Sequence, residues 1–290
     1  MTIQRGFTLI EMAIVLVIVT ILIGGLAMPL SAQIQARRIA ETRAEMNATR
    51  DALLGFAMGH VCSINCTPPT TPPQTCASAS LSTISCQSAC ADYCASPAAS
   101  TQPAITRHFL PCPDSDGDGR EDRNLNTGKC MSAGTTARWG LPWLTLGVKG
   151  HDAWGNRFTY AVTPAFAAHS GFVSNPTGTQ ANINIFANRT CASPYVAENV
   201  PLILVSHGPN GRGATNMNGG TPLAATSVPV EERQNLTIAP ADLTCPSTPV
   251  HDFTNTSFIQ QNPSETFDDI LMWISSGEIF NRVCPDAGCP

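Results

Sequence analysis

The sequence predicts an α+β protein in which a long, partly transmembrane N-terminal helix packs against a small antiparallel β-sheet head. Two observations predict this fold: an apolar run that continues into a helix-favouring segment, and short strand-like runs in the second half. A cysteine-rich insert and a C-terminal helix complete the fold. The predicted divisions are a leader (1–6), the helix (7–60, with 7–36 in the membrane), the insert (61–105) and the globular head (106–290).

The composition limits the class of protein and its compartment. The net charge is −5 and 13% of the 290 residues are charged, so we expect no nucleic-acid partner, because such binders present Lys and Arg to phosphates. All twelve cysteines follow residue 61, which indicates an oxidising compartment for that part of the chain. The alternative is a zinc protein, but paired Cys-x-x-Cys knuckles and close His pairs are both missing from the sequence.

The apolar run has no charged residue from Met12 to Ala36, which is enough to cross a hydrocarbon layer of ~30 Å at about 1.5 Å per residue. Glu11 stands at its start, where a lone carboxylate is unfavourable in lipid. A cleaved secretory signal is the first alternative, but such a signal normally has a shorter apolar core without acids. The best signal-peptidase site here, at 30–32, begins with the bulky Leu30 where a small residue is expected. A plain membrane anchor explains the length of the run but leaves Glu11 unexplained.

The stretch RGFTLIEMAIVLVIV resembles the N-terminus of type IV prepilins and type II secretion pseudopilins. The resemblance implies that a prepilin peptidase cuts after Gly6 and that the new N-terminal residue, Phe7, is N-methylated. It also implies that Glu11 is an assembly residue, whose carboxylate pairs with the Phe7 amine of a neighbouring subunit. Each charge is unfavourable alone in an apolar setting, and pairing offsets both.

The position of the cysteines predicts the orientation better than the charges do, because Arg5 precedes the run and Arg37 and Arg38 follow it. We expect a single-pass protein of the bacterial inner membrane with a cytoplasmic N-terminus. The head would then lie in the periplasm or in a surface filament.

Beyond the run, the segment IQARRIAETRAEMNATRDALLGFAMGH favours a helix to about residue 60. Ile39, Met46, Leu53 and Phe56 recur in threes and sevens, which places them on one apolar face. This face is expected to pack under the head.

The insert at 61–105 is rich in Pro, Thr and Ser and has too little apolar bulk for a core of its own, so disulfides must hold it. Cys86, Cys90 and Cys94 recur every fourth residue, and at helical spacing their Cβ atoms lie about 5–6 Å apart, too far for mutual bonds. A metal or cluster site is the alternative use of this spacing. The expected disulfide partners, in an order that the sequence leaves open, are Cys62, Cys66 and Cys76.

Short apolar runs between Gly, Pro and Asn turns predict the strands of the head. They cover residues 157–163, 182–186 and 201–207. Near the end of the chain, 264–283 predicts a helix that Thr266 and Asp269 cap and that Gly277 ends.

Two stretches of the head, HDAWGNRFTYAV and LVSHGPNGRGATN, resemble the major pseudopilin of type II secretion. The matching residues are Asp152, Trp154, Gly155, Ser206, Gly208 and Gly211. In that family the second loop usually carries acids that bind calcium. Here Asn210, Asn216 and Asn218 stand in that region without Asp or Glu, which favours a turn that packs Trp154 on the sheet over a ligand site.

The acidic loop lies elsewhere, in LPCPDSDGDGREDRNLNTGKC. Alternating carboxylates around a glycine turn suit a hard cation, so we expect calcium, with a plain Asp/Gly turn as the alternative. The twelfth position is Leu125 instead of Glu, so the loop is no EF-hand. The candidate ligands are Asp114, Asp116, Asp118, the carbonyl of Arg120, and Asp122.

Disulfides outside the insert follow from the spacing of the remaining cysteines. Cys112 and Cys130 bracket the acidic loop, and a bond between them would order the same segment as calcium. Cys284 and Cys289 flank a PDAG turn and are expected to bond each other. Cys191 and Cys245 are then left as the remaining pair.

The sequence therefore predicts a structural subunit of a type II secretion or type IV pilus filament, with other pilin or pseudopilin subunits, the prepilin peptidase and the inner membrane as partners. The large head suggests a minor or tip subunit. The alternative is a membrane-tethered adhesin or cargo-binding module that uses the cysteine-rich head. An enzyme is not expected, because the six histidines are scattered and no G-x-S-x-G or H-E-x-x-H motif occurs.

Overall fold

The computed structural model describes residues 8–66, 76–79, 86, 105–131, 140–173, 181–191, 195–219, 227–236, 256–284 and 289, with the backbone alone for 24–29, 64–66 and 76–79. Its helices are α1 (Leu9–Gly59), α2 (Trp143–Leu146), α3 (Pro164–Ala167), α4 (Val230–Arg233) and α5 (Ser276–Val283). Its strands are β1 (Val61–Cys66), β2 (Cys76–Ala79), β3 (Ile105–His108), β4 (Thr159–Val162), β5 (Ile183–Phe186), β6 (Tyr195–Val200), β7 (Leu202–Ser206), β8 (Ser257–Ile259) and β9 (Ile270–Ile274). The α+β class is confirmed.

The long N-terminal helix is confirmed as α1. On its C-terminal half, Met46, Leu53 and Phe56 are buried, as the apolar face predicts, and Ile39 is half-buried. No helix in the described part of the chain is both long enough and apolar enough to cross a membrane, so the transmembrane part predicted over 7–36 is not confirmed.

The described residues form three sheets of three strands each. The first has the order β2-β1-β3 and the second β4-β7-β9, and both are antiparallel throughout. The third has the order β6-β5-β8, in which β5 is antiparallel to β6 but parallel to β8. The predicted antiparallel sheet is therefore confirmed in part. The β5–β8 pair departs from it, because the chain between these strands is long enough for a parallel crossover.

The sheet β4-β7-β9 lies between α1 and the third sheet. Leu202 and Leu204 of β7 pack in one cluster with Leu53 of α1. Their neighbours Ile203 and Val205 pack on the opposite face, in a cluster with residues of β5 and β8. Because successive side chains of a strand point to opposite faces, one apolar run serves both layers. The C-terminal half of α1 is thus fixed to the head through this shared hydrophobic core.

The C-terminal helix predicted over 264–283 is wrong in its first half. Ile270–Ile274 form β9, which pairs with β7, and α5 begins only at Ser276. The run ILMWI is short, apolar and rich in β-branched and aromatic residues, which favours a strand once a partner edge is present. Ser275 caps α5 by accepting the N–H of Glu278, so Gly277 lies inside the helix instead of ending it.

The two ends of the insert are held on the head. β1 pairs with β3, and a disulfide joins Cys62 to Cys86 in a buried cluster with Phe56 and Phe109. This bond is one of the pairings that the sequence allows. Backbone pairing sets Cys66 opposite Cys76, while Cys90 and Cys94 lie outside the described residues.

Candidate functional site

The N-terminus of α1 is closed by a reciprocal cap between Thr8 and Glu11. The Glu11 carboxylate accepts the Thr8 N–H and the Thr8 hydroxyl, each at 2.8 Å, and the Glu11 N–H donates to the Thr8 hydroxyl oxygen at 3.4 Å. A negative charge in the first turn also suits the helix dipole. Glu11 therefore has local hydrogen-bond partners in the single chain, and Gly6 and Phe7 lie outside the described residues.

The first turns of α1 expose apolar side chains on every face. Between Leu9 and Ile23 the large hydrophobic side chains are 41–90% exposed. A helix that is apolar all round is normally covered by other protein or by lipid, and a patch of this kind marks an interaction surface. The described part of the head reaches α1 only farther along, where burial begins near Ile39.

The acidic loop at 114–122 brings three of its four aspartates together. One carboxylate oxygen from each of Asp114, Asp116 and Asp122 lies within 4.8 Å of the other two. Asp118 is not in this group, and its carboxylate accepts the N–H of Arg120 at 2.7 Å. Asp114 is buried, and burial raises the pKa of its carboxyl group. The nearby carboxylates raise this pKa further, whereas hydrogen bonds from two backbone N–H groups lower it.

Protein contacts already occupy part of this loop. The Asp114 carboxylate accepts the Gly117 N–H at 2.7 Å and the Gly119 N–H at 2.9 Å. The Asp122 carboxylate accepts both the N–H, at 2.6 Å, and the hydroxyl of Ser115. A cation there would share these oxygens with backbone donors.

The ends of the acidic loop are anchored covalently and by a buried cation. A disulfide joins Cys112 to Cys130 with the Cα atoms 5.3 Å apart. The buried guanidinium of Arg123 bonds Glu121 at 3.0 Å. It also donates to three backbone carbonyls, those of Leu110, Gly128 and Ala167. These contacts hold the segment against the core.

The two head motifs interlock through one aspartate. The buried Asp152 carboxylate accepts the N–H groups of Trp154 and Asn156 at 2.9 Å, and it accepts the hydroxyl of Ser206 at 2.7 Å. Gly208 has φ +57°, and a Cβ there would collide with the carbonyl and carboxylate of Asp268. Asp152 and Gly208 therefore have structural explanations, as the turn interpretation predicts. Trp154 is half-buried.

A second acidic cluster, which the sequence does not predict, lies against this loop. One carboxylate oxygen from each of Glu232, Asp268 and Asp269 lies within 4.8 Å of the others. Burial, followed by the Asp269 charge, raises the pKa of Glu232 to about 7, and burial also raises the pKa of Asp268. Glu232 is remote in sequence from the two aspartates, so no local spacing could reveal the cluster.

Further disulfides involve the remaining candidate cysteines. Cys284 is bonded to Cys289, the pair that the sequence predicts. Cys191 is also disulfide-bonded. Its predicted partner, Cys245, lies outside the described residues.

Comparison with known proteins identifies the N-terminal segment. A family model for the prokaryotic N-terminal methylation motif matches residues 1–27. The chain therefore carries the prepilin-type cleavage and methylation segment, and the predicted resemblance is confirmed for this part of the sequence. No curated protein and no solved structure matches the chain.

Proposed function

Because the chain begins with a prepilin-type segment, we propose that it is a pilin-like or pseudopilin-like structural subunit of a type II secretion or type IV pilus filament. The observation that carries the proposal is the motif at 1–27, followed by a helix whose first turns expose apolar side chains on every face. Such a surface requires cover, which neighbouring helices in a filament would supply. The large head supports a minor or tip position, and catalysis has no part in this proposal.

Before assembly, the subunit resides in the inner membrane with its N-terminus in the cytoplasm and its head in the periplasm. The prepilin peptidase cuts after Gly6, and Phe7 becomes the N-methylated terminus. Glu11 then pairs with the Phe7 amine of a neighbouring subunit. In the single chain the Glu11 carboxylate bonds Thr8, so assembly exchanges or shares a local partner instead of burying a bare charge.

Replacing Glu11 separates processing from assembly. Glu11→Ala should leave cleavage after Gly6 largely intact, because the cut precedes the pairing step, but it should reduce incorporation into filaments. Asp51→Ala is the matched control, since Asp51 is an exposed acid farther along the same helix. The measurements are N-terminal processing by mass and the subunit content of sheared filaments. Normal incorporation of the Glu11 variant would contradict the assembly role.

We also propose that the acidic loop binds calcium. Support comes from the three carboxylate oxygens within 4.8 Å of one another, about twice a calcium–oxygen bond of 2.3–2.6 Å. Asp116→Asn should weaken calcium binding, because it removes one charge of the group. Asp118→Asn is the matched control from the same turn and should have a smaller effect. Equal calcium affinity in the wild type and the Asp116 variant, measured by titration calorimetry, would reject this site.

A binding role for the insert is a second proposal, compatible with the first. It is supported by the anchoring of both insert ends, through the β1–β3 pair and the buried Cys62–Cys86 bond, which would present the intervening segment on a fixed base. Deleting residues 61–105, which removes both Cys62 and Cys86 and so leaves neither as an unpaired thiol, should leave filament assembly intact and abolish adhesion or cargo binding. Unchanged binding would reject this proposal.

A further inference from the structure

We propose that the junction between the loop 206–211, α4 and the residues before β9 is pH-sensitive, because a single proton shared by the carboxyl groups of Glu232 and Asp268 holds it together. Glu232 belongs to α4, and Asp268 lies two residues before β9. In alkaline solution the proton is lost, the carboxylates repel each other, and the junction loosens. This behaviour belongs to the head and does not rest on the proposed filament role.

The junction crowds three carboxylates into a buried place. One carboxylate oxygen from each of Glu232, Asp268 and Asp269 lies within 4.8 Å of the other two. Glu232 and Asp269 are fully buried, so water screens their repulsion poorly. Within the described part of the chain no lysine or arginine forms an ion pair with the three, and Arg233 of α4 donates its Nε to the Val228 carbonyl at 3.1 Å. Buried carboxylates this close do not all stay ionised, so the cluster holds a proton.

The hydrogen bonds place this proton on Glu232. The Asn210 amide donates to its Oε1 at 2.9 Å and its Oε2 at 3.1 Å, and the Asp268 N–H donates to Oε1 at 2.9 Å. The Glu232 and Asp268 side chains are also in hydrogen-bond contact, which two ionised carboxylates cannot form because both are acceptors only. The buried Oδ1 of Asp268 has no other donor among the described residues, so it is the acceptor that a protonated Oε2 supplies.

The electrostatics of the two carboxyl groups agree with this assignment. Burial, followed by the Asp269 charge, raises the pKa of Glu232 from its ordinary value of 4.5 to about 7. Burial also raises the pKa of Asp268, but hydrogen bonds from the Asn210 N–H and from Glu232 oppose this and favour its charged form. Glu232 is therefore the proton donor of the pair and Asp268 the acceptor.

His207 is the other titratable group that faces the junction. Its Nδ1 lies 3.5 Å from Oδ1 of Asp269, and its Nε2 lies 3.0 Å from the Thr159 hydroxyl. Its recorded partner is thus the third carboxylate, so a proton on His207 would balance Asp269. The repulsion between Glu232 and Asp268 would remain, and the shared proton is what relieves it.

The junction connects α4 to a second sheet. Directly after α4, the side-chain amides of Gln234 and Asn235 donate to carbonyls of β8, at 2.8 and 3.0 Å, which ties this segment to the sheet β6-β5-β8. The loop 206–211 and β9 belong instead to the sheet β4-β7-β9. Apolar residues also pack between the two sheets, so losing the proton should loosen α4 locally without separating the sheets.

The test is urea unfolding of the full-length protein in detergent micelles at pH 5 and pH 8. Because folding raises the pKa of Glu232, its contribution to stability is fully present below about pH 4.5 and is lost as the pH rises through about 7. Glu232→Gln keeps a donor for Asp268 but carries no charge. The unfolding constant of the wild type, divided by that of this variant, should therefore rise at least about tenfold from pH 5 to pH 8.

Glu231→Gln is the matched control, since Glu231 is a half-buried acid on the same helix, and its ratio should stay constant. Infrared spectra at pH 6 should show the carbonyl band of a protonated carboxyl group, and Glu232→Gln should lack it. Asp268→Asn removes the acceptor charge and should reduce the pH dependence. Because Asp268 is only half-buried, this variant serves even if Glu232→Gln does not fold.

Three results would overturn the proposal. The first is an unfolding-constant ratio that is the same at both pH values, or that changes equally in Glu231→Gln. The second is a protonated-carboxyl band that persists in Glu232→Gln. The third is a pH dependence that survives in Glu232→Gln and disappears in His207→Gln, which would place the proton on the histidine.

Discussion

Removing two of the disulfides of the head one at a time gives a quantitative test of how the head is stabilised. The Cys112–Cys130 bond closes a separation of 18 residues and the Cys284–Cys289 bond one of 5. In the chain-entropy relation, a cross-link lowers the entropy of the unfolded chain by about 2.1 + 1.5R ln n cal/mol/K, where R is the gas constant and n is the number of residues in the closed loop. At 25 °C this gives about 3.2 kcal/mol for the first bond and about 2.1 kcal/mol for the second.

The assay is urea unfolding of the wild type and of two double variants, Cys112→Ala with Cys130→Ala and Cys284→Ala with Cys289→Ala. Both pairs replace largely buried sulfurs by the same side chain, so the packing losses are similar. The free energy of unfolding should fall by about 1 kcal/mol more for the longer loop. Equal losses, or a larger loss for the short C-terminal loop, would refute the entropic reasoning.

Three further predictions concern one buried histidine and two leucines of α1. The pKa of His169 is lowered to about 4 by burial and by Arg123, so the unfolded chain takes up a proton near pH 6.5 and the folded chain only near pH 4. The free energy of unfolding should therefore fall by at most about 3 kcal/mol as the pH drops through that window, and less in His169→Phe, as pH-dependent urea unfolding would show. Leu53→Ala removes a fully buried side chain between α1 and the central sheet and should lower the free energy of unfolding by about 3–5 kcal/mol. Leu16→Ala, on the exposed part of the same helix, should change it by less than about 0.5 kcal/mol while weakening filament incorporation.

Local patterns in the sequence predict much of the fold. The helix α1 follows from the apolar run that continues into a helix-favouring segment, and its buried face follows from the spacing of Met46, Leu53 and Phe56. The strands β4, β5 and β7 lie inside the predicted ranges because each is a short apolar run bounded by turn residues. Cys112 and Cys130 bracket their loop closely enough that spacing alone predicts the bond.

The features that the sequence does not predict depend on tertiary contacts. The run Ile270–Ile274 is compatible with either a helix or a strand, and the open edge of β7 decides for the strand. The cluster of Glu232 and Asp269 forms only when α4 and the start of β9 meet, so no fixed spacing announces it. Within the acidic loop, the alternating pattern includes Asp118, which the backbone turns toward Arg120 instead of toward the other carboxylates.

The most direct test of the central proposal is the mass of the N-terminal peptide of the protein extracted from the cell envelope. The account predicts a chain that begins at Phe7 and carries one N-methyl group, because the segment 1–27 matches the methylation motif. A chain that begins at Met1, or at Gln33 as a secretory signal would leave it, would contradict the account.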